Sequence, residues 1–135
     1  FDLDKSGKTI LHHLVKDDQN VDQVIQLLSK TPEIVHVIDK SGETALHIAA
    51  RSGSFLCLQE LVKVGVDLDI QSRGKLDTAL ILAACHGNTD CAKFLLNSAA
   101  DVTLQTRQGF TAEDWARKSN HFQIENLLKL YNICE

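Results

Sequence analysis

The stretch Asp39-Lys-Ser-Gly-Glu-Thr44-Ala-Leu-His47-Ile-Ala-Ala-Arg-Ser-Gly53 decides the fold of this chain, because the chain repeats it. One copy begins upstream at Asp4, a third begins at Gly74 and a fourth begins at Gly109. The threonines of the four copies are spaced by 35, 34 and 33 residues and stand at Thr9, Thr44, Thr78 and Thr111. A fixed period of this length predicts an array of stacked structural repeats.

Each copy carries the signals of two helices. The threonine stands where a hydroxyl can accept from the free amides of a helix start. A small, Ala-rich segment follows, and Gly53, Gly87 or Asn120 then ends it. Beyond that residue comes an apolar stripe at i, i+3 and i+4 spacing, such as Cys57, Leu58 and Leu61, which is typical of an amphipathic helix. The predicted unit is therefore a turn, a short helix, a turn and a longer helix.

The pattern D-x-x-G-x-T-x-L-H-x-A-A-x-x-G resembles the ankyrin repeat, whose period is about 33 residues. The resemblance covers essentially the whole chain as a single domain, 1-135, with repeats at approximately 4-38, 39-72, 73-105 and 106-135. It implies an all-α solenoid of stacked helix-turn-helix units with short β-turn or hairpin fingers.

The repeats depart from the family pattern at defined places. Two extra residues fall in the turn 16–20 and one falls in the finger 73–77. The third repeat has Ile81 where the family has histidine, and the usual proline after threonine is absent throughout. The fourth repeat is more polar, as expected of a terminal cap, and Trp115 lies in phase with apolar core positions, which predicts core packing.

The first repeat has no clear polar face, because apolar residues such as Ile10, Leu14 and Val21 surround its helices. The chain also begins at Phe1 rather than at methionine, and its first residues read like the end of a finger. We expect a fragment of a longer protein, with further repeats or another domain before Phe1.

Composition excludes several classes of protein. The chain has 135 residues, 44% hydrophobic and 24% charged, which is ordinary for a globular domain and unlike a disordered tail. No apolar run approaches the roughly 20 residues that span a bilayer, and no secretory signal pattern opens the chain. A net charge of −4 disfavours nucleic-acid binding. An intracellular location is expected, cytoplasmic and/or nuclear.

No motif in the sequence predicts catalysis. Phosphate-binding glycine loops, a nucleophile elbow and the H-E-x-x-H zinc motif are all missing. The four cysteines form no CxxC pair, so no zinc site and no cofactor are predicted. Cys57 and Cys91 share a helical phase and are expected in the core. Cys85 shares the phase of Arg51 and is expected to face the groove.

The resemblance implies a concave face, formed by the fingers and short helices, that binds other proteins. The family's variable contact positions pick out the candidate site: Lys5, Lys8, Lys16, Lys40, Glu43, Arg51, Lys75, Leu76, His86, Arg107, Phe110 and Lys118. Basic residues dominate this set and extend to Arg73. The alternative is an ordinary solvated surface, partly neutralised by Asp4 and Asp39.

A basic groove predicts an acidic or phosphorylated protein or peptide as the partner. Leu76 and Phe110 are the expected apolar anchors, since exposed large apolar residues at finger tips have little structural purpose. No small-molecule substrate and no membrane insertion are expected, and the isolated chain is expected to be monomeric. Two other functions stay open: a regulatory ankyrin segment of a larger signalling enzyme, similar to some diacylglycerol kinases, or an IκB-like transcription regulator.

Overall fold

The computed structural model describes residues 2–133, so Phe1 and the fourth cysteine, Cys134, lie outside the described residues. The described chain folds into helices and turns, without a strand. The α-helices are α1 (Ile10–Leu14), α2 (Val21–Lys30), α3 (Ala45–Ser52), α4 (Phe55–Lys63), α5 (Ala79–His86), α6 (Thr89–Asn97), α7 (Ala112–Lys118) and α8 (Phe122–Ile133). Short 3-10 turns span Asp18–Asn20 and Pro32–His36.

The helices form two layers. The short helices α1, α3, α5 and α7 pack side by side in an inner layer, and α2, α4, α6 and α8 form an outer layer behind them. The two helices of each repeat pack against each other and against the helices of the next repeat. A continuous apolar core therefore runs the length of the array. Leu46, Leu58, Leu80 and Leu95 are all buried within it. The prediction of an all-α repeat solenoid is confirmed.

The repeated threonines start the short helices as predicted. The Ile81 amide donates to the Thr78 hydroxyl at 3.1 Å, and the Asp114 amide donates to the Thr111 hydroxyl at 3.3 Å. At the other end, α3 and α5 stop at Gly53 and Gly87. The repeat pattern therefore sets both ends of α3 and α5, whereas α7 stops at Ser119, one residue before the predicted Asn120.

Four turns, called fingers 1 to 4, precede the inner helices and comprise residues 4–8, 39–43, 72–77 and 106–110. In each finger the first amide donates to the last carbonyl at 2.9–3.0 Å. Neighbouring fingers are also joined, because the amides of Lys40, Arg73 and Arg107 each donate to the preceding finger at 2.9 Å. The fingers and the C-terminal ends of the inner helices bound one surface, which we call the inner face.

Finger 3 carries the residue that the spacing shows to be extra. The insertion places Leu76 in the left-handed region at φ 60°, a conformation that costs a non-glycine residue roughly 1–2 kcal/mol. The side-chain Nε2 of Gln71 holds this segment by donating to the backbone carbonyls of Leu76 at 3.0 Å and Gln105 at 2.8 Å. Finger 3 is thus one residue longer than its neighbours, and hydrogen bonds join it to finger 4 and to the residue before that finger.

The extra residues of the first repeat also join two repeats. They form the 3-10 turn Asp18–Asn20, and the Asp18 carboxylate accepts from the amides of Leu56 and Cys57 at 3.1 Å each. These amides belong to the first turn of α4, where free N–H groups need an acceptor. The insertion therefore caps the outer helix of the next repeat.

The first end of the array agrees with the expectation from its sequence, and the last end agrees only in part. At the first repeat, Ile10 is 59% exposed and Ile25 is 43% exposed, as its sequence pattern indicates. At the last repeat, Arg117 pairs with the acids of α7 and α8, as a polar cap requires. However, Phe122 and Leu130 of α8 are exposed. The polar cap is therefore confined to α7 and to Glu125 of α8, which pairs with Arg117.

Candidate functional site

Two of the predicted basic site residues are neutralised inside the inner face. The Lys8 ammonium lies 3.1 Å from the buried Asp39 carboxylate and so joins fingers 1 and 2. The Arg51 guanidinium makes two bonds to the Glu43 carboxylate, of 2.7 and 3.0 Å. Burial tends to raise the pKa of Asp39, but amide hydrogen bonds and the Lys8 ion pair outweigh it and lower that pKa. The first pair joins two repeats, and the second joins finger 2 to the end of α3 within one repeat.

Four other basic residues of the inner face lie at the finger tips. Lys40, Arg73, Lys75 and Arg107, which we call the finger cations, are exposed, and no carboxylate of residues 2–133 forms an ion pair with them. The Arg107 side chain donates to the Gly74 carbonyl, which orients it along finger 3. Lys5 on finger 1 and Lys16 after α1 are also exposed. The finger cations form a positive strip along fingers 2 to 4.

The premise that Phe110 is exposed and has little structural purpose is wrong. Phe110 is half-buried, and its ring meets the edge of Trp115 with ring centres 5.6 Å apart. The Lys118 ammonium lies 4.0 Å from the Phe110 ring centre, a cation–π contact. Leu76 is also half-buried rather than exposed. Neither residue is therefore a bare apolar tip, and a role of either as an anchor for a partner stays a prediction.

A cavity of about 300 Å³ opens between fingers 3 and 4, and we call it the inter-finger cavity. Its wall and rim include Asp77, Ile81, Leu82, Cys85, His86 and Trp115, with Lys75 and Arg107. A wider groove of about 590 Å³ continues across fingers 2 and 3 and shares Asp77, Leu82 and His86 with the cavity. The inner face therefore contains a continuous depression lined below by side chains and above by the finger cations.

The sequence prediction missed the floor of this depression. Ile81 and Leu82 were not in the predicted site, and Trp115, which packs against the core as predicted, also lines the cavity. The missed signal was the length of the side chain at one repeat position. Cys85 is short where the other repeats carry a long basic residue, Arg51 for example, and it lines the inter-finger cavity.

Buried histidines connect successive repeats. In repeat two, the Thr44 amide donates to His47 Nδ1 at 3.1 Å, and His47 Nε2–H donates to the Asp77 carbonyl of finger 3 at 3.0 Å. His12 makes the same bridge from Thr9 to the Glu43 carbonyl of finger 2. The third repeat has Ile81 at this position and so lacks the bridge to finger 4.

These bridges predict an acid-sensitive fold. Burial lowers the pKa of His12 and of His47 below the ordinary 6.5, and the carbonyl bonds oppose this only in part. The folded chain therefore favours the neutral rings, while the unfolded chain binds more protons as the pH falls. We expect the free energy of unfolding from urea titrations to fall between about pH 7.5 and about pH 5.5. A chain with both residues changed to Gln should lose most of this dependence, and an unchanged slope would contradict it.

The cysteines divide as predicted within the described residues. Cys57 and Cys91 are buried, and burial raises the pKa of each thiol to about 12. Cys85 is partly exposed and lines the inter-finger cavity. In the part of the chain that the structure describes, no three His, Cys, Asp or Glu side chains gather as a metal site. No helix of residues 2–133 has the length and apolar character needed to cross a bilayer.

Comparison with known proteins gives consistent relatives. A family model described as ankyrin repeats in three copies matches residues 1–73 and again 57–134. The chain is 33% identical to the ankyrin repeat and SAM domain-containing protein 6 of Rattus norvegicus over 98% of its length. It is 34% identical to the nuclear factor NF-kappa-B p105 subunit of Gallus gallus over 81% of its length.

An enzyme also occurs among the similar proteins. The chain is 30% identical to the poly [ADP-ribose] polymerase tankyrase of Caenorhabditis elegans over 75% of its length. It spans only 15% of the rat protein, 11% of the chicken protein and 5% of the nematode protein. The similarity is therefore to the repeat segments of much longer chains.

Proposed function

The chain belongs to the ankyrin-repeat family, and we propose that it is a non-catalytic module that binds an acidic segment of a partner protein on its inner face. Ankyrin repeats are protein–protein interaction modules. We infer four repeats in one domain, at the boundaries that the threonine spacing predicts. An intracellular setting belongs to the same proposal.

The observation that carries the proposal is the contrast between paired and free cations. Inside the face, Lys8 and Arg51 each meet a carboxylate of the chain. At the finger tips, the four finger cations meet none among residues 2–133. Unpaired charges of one sign, arranged above a groove, raise the association rate of an oppositely charged partner. A carboxylate-rich or phosphorylated peptide has that complementary charge.

A matched pair of charge reversals tests the proposal. Peptides selected from a displayed library of random linear sequences would be followed by association kinetics at low and at physiological salt. Lys40→Glu/Lys75→Glu should slow association by about tenfold and flatten its salt dependence. Lys30→Glu/Lys93→Glu changes the same net charge on exposed positions of the outer helices and should leave the rates nearly unchanged.

Selected peptides without net negative charge, or equal rates for both charge variants, would contradict the acidic-segment proposal. Synthetic peptides carrying serine or phosphoserine at one position separate the two sources of negative charge. A rate that rises with the phosphoserine peptide alone would point to a phosphorylated partner.

The open alternatives now differ in support. Similarity to a nuclear factor NF-kappa-B subunit supports an IκB-like transcription regulator as the second candidate. Similarity to a tankyrase supports a repeat segment within a larger enzyme. The diacylglycerol-kinase-like alternative stays a prediction. In each case the repeats themselves have the same proposed task, which is to hold another protein.

A further inference from the structure

The inter-finger cavity exists because the third repeat breaks the pattern of the second at one paired position. In repeat two, Glu43 stands just before the capping threonine and binds Arg51 at the end of α3. In repeat three, Asp77 stands at the first of these positions and Cys85 at the second. The carboxylate is retained and its cation is lost, so space opens where a guanidinium would lie.

The Asp77 carboxylate has no protein partner within the described chain. It is half-buried, and no amide or side chain of residues 2–133 donates to it or forms an ion pair with it. Burial raises the pKa of Asp77, while Lys75 opposes this from the rim. A half-buried carboxylate without a partner loses free energy to desolvation and would gain from an added cation.

The rest of the cavity can hold the aliphatic part and the planar head group of a long side chain. Ile81 and Leu82 offer apolar wall, and Trp115 lines the same space with its indole N–H buried and unpartnered within the described chain. The volume of about 300 Å³ equals roughly ten waters at about 30 Å³ each, enough for one long side chain. A guanidinium stacks well on aromatic walls.

We propose that the inter-finger cavity receives one arginine of the partner peptide, whose guanidinium pairs with Asp77 as Arg51 pairs with Glu43. This inference rests on the proposed function, because the residues that flank the arginine remain acidic and meet the finger cations. Lys75 and Arg107 at the rim repel a purely basic peptide. The partner segment is therefore a single arginine within an acidic stretch.

The chain itself supplies the decisive variant. Cys85→Arg restores the residue type of repeat two and fills the cavity from within, while it adds positive charge to the face. If acidic charge alone governs binding, this variant should bind the selected peptides as well as or better than the parent chain. If an arginine anchor occupies the cavity, the variant should bind at least about tenfold more weakly. Gln26→Arg, which adds the same charge at an exposed position of α2 and leaves the cavity open, is the control and should bind normally.

Peptide binding can be followed by the fluorescence of a tryptophan in the cavity wall. Trp115 is the single tryptophan of the chain, so its fluorescence should change when a peptide from the displayed library binds. We expect the selected peptides to share one arginine among acidic residues. Replacing that arginine by leucine, or Asp77 by Asn in the chain, should each weaken binding by about tenfold or more. Circular dichroism checks that each variant is folded.

The outcomes separate this inference from the function on which it rests. Acidic peptides that need Lys40 and Lys75 but tolerate Cys85→Arg and the leucine replacement would overturn the arginine anchor and keep the proposed function. Peptides that need arginine and Asp77 but not the finger cations would keep the anchor and overturn the acidic segment. Peptides that depend on neither the finger cations nor Asp77, or a library from which no peptide is enriched, would overturn both.

Discussion

Gly42→Ala is expected to lower the free energy of unfolding by about 3 kcal/mol. Gly42 lies in finger 2 at φ 76°, where any other residue is strained. An added Cβ would also stand 2.7 Å from the Arg73 amide nitrogen, a distance that side chains do not tolerate. That amide donates to the Ser41 carbonyl at 2.9 Å, so the methyl group forces fingers 2 and 3 apart.

Gly65→Ala is the control for the backbone part of this effect. Gly65 has φ 94°, but nothing lies within 4 Å of its added Cβ. We expect a loss of only about 1–2 kcal/mol there, from backbone strain alone. Urea titrations of the two variants beside the parent chain measure the difference. Equal losses would mean that contact between the fingers contributes nothing to stability.

The fold was predictable because each repeat carries its own local signals. Thr44, the Ala-rich segment and Gly53 define one inner helix in sequence, and three further copies confirm the period. Interfaces between copies then follow from the fold, since each repeat buries its apolar face against the next. The bridge from His47 to the Asp77 carbonyl was not predicted, because a histidine in phase with a threonine has no visible partner in sequence.

The candidate site was predictable only as a set of positions. Charge at those positions does not show which cations are already paired, and Arg51 and Lys40 look alike until Glu43 is seen to bind only the first. The cavity depends on a difference between repeats, Cys85 against Arg51, whose meaning appears once both are placed against the neighbouring carboxylate. The sequence therefore predicts which residues lie on the surface, while the structure shows which of their charges form ion pairs within the chain and which can meet a partner.

His47→Ala is expected to lower the free energy of unfolding by about 3 kcal/mol. His47 is 1% exposed, so its removal leaves a cavity in the inner layer. It also leaves the Thr44 amide without its imidazole acceptor, at a cost of roughly 1–3 kcal/mol for a buried group left unsatisfied. The Asp77 carbonyl loses its bond to the preceding repeat and keeps the Ser72 amide as its donor. The bonded groups lie in successive repeats, so the loss falls on the interface between them.

The same variant should therefore weaken the coupling between repeats two and three. In a stack stabilised by neighbouring interfaces, a weakened interface lets the two sides unfold separately. We expect a lower m-value or a second transition in urea, followed by circular dichroism and by Trp115 fluorescence, which reports only on the C-terminal side. His36→Ala changes an exposed histidine and should stay within about 0.5 kcal/mol of the parent chain. Coincident transitions with a loss below about 1 kcal/mol would show that the histidine bridge does not couple the repeats.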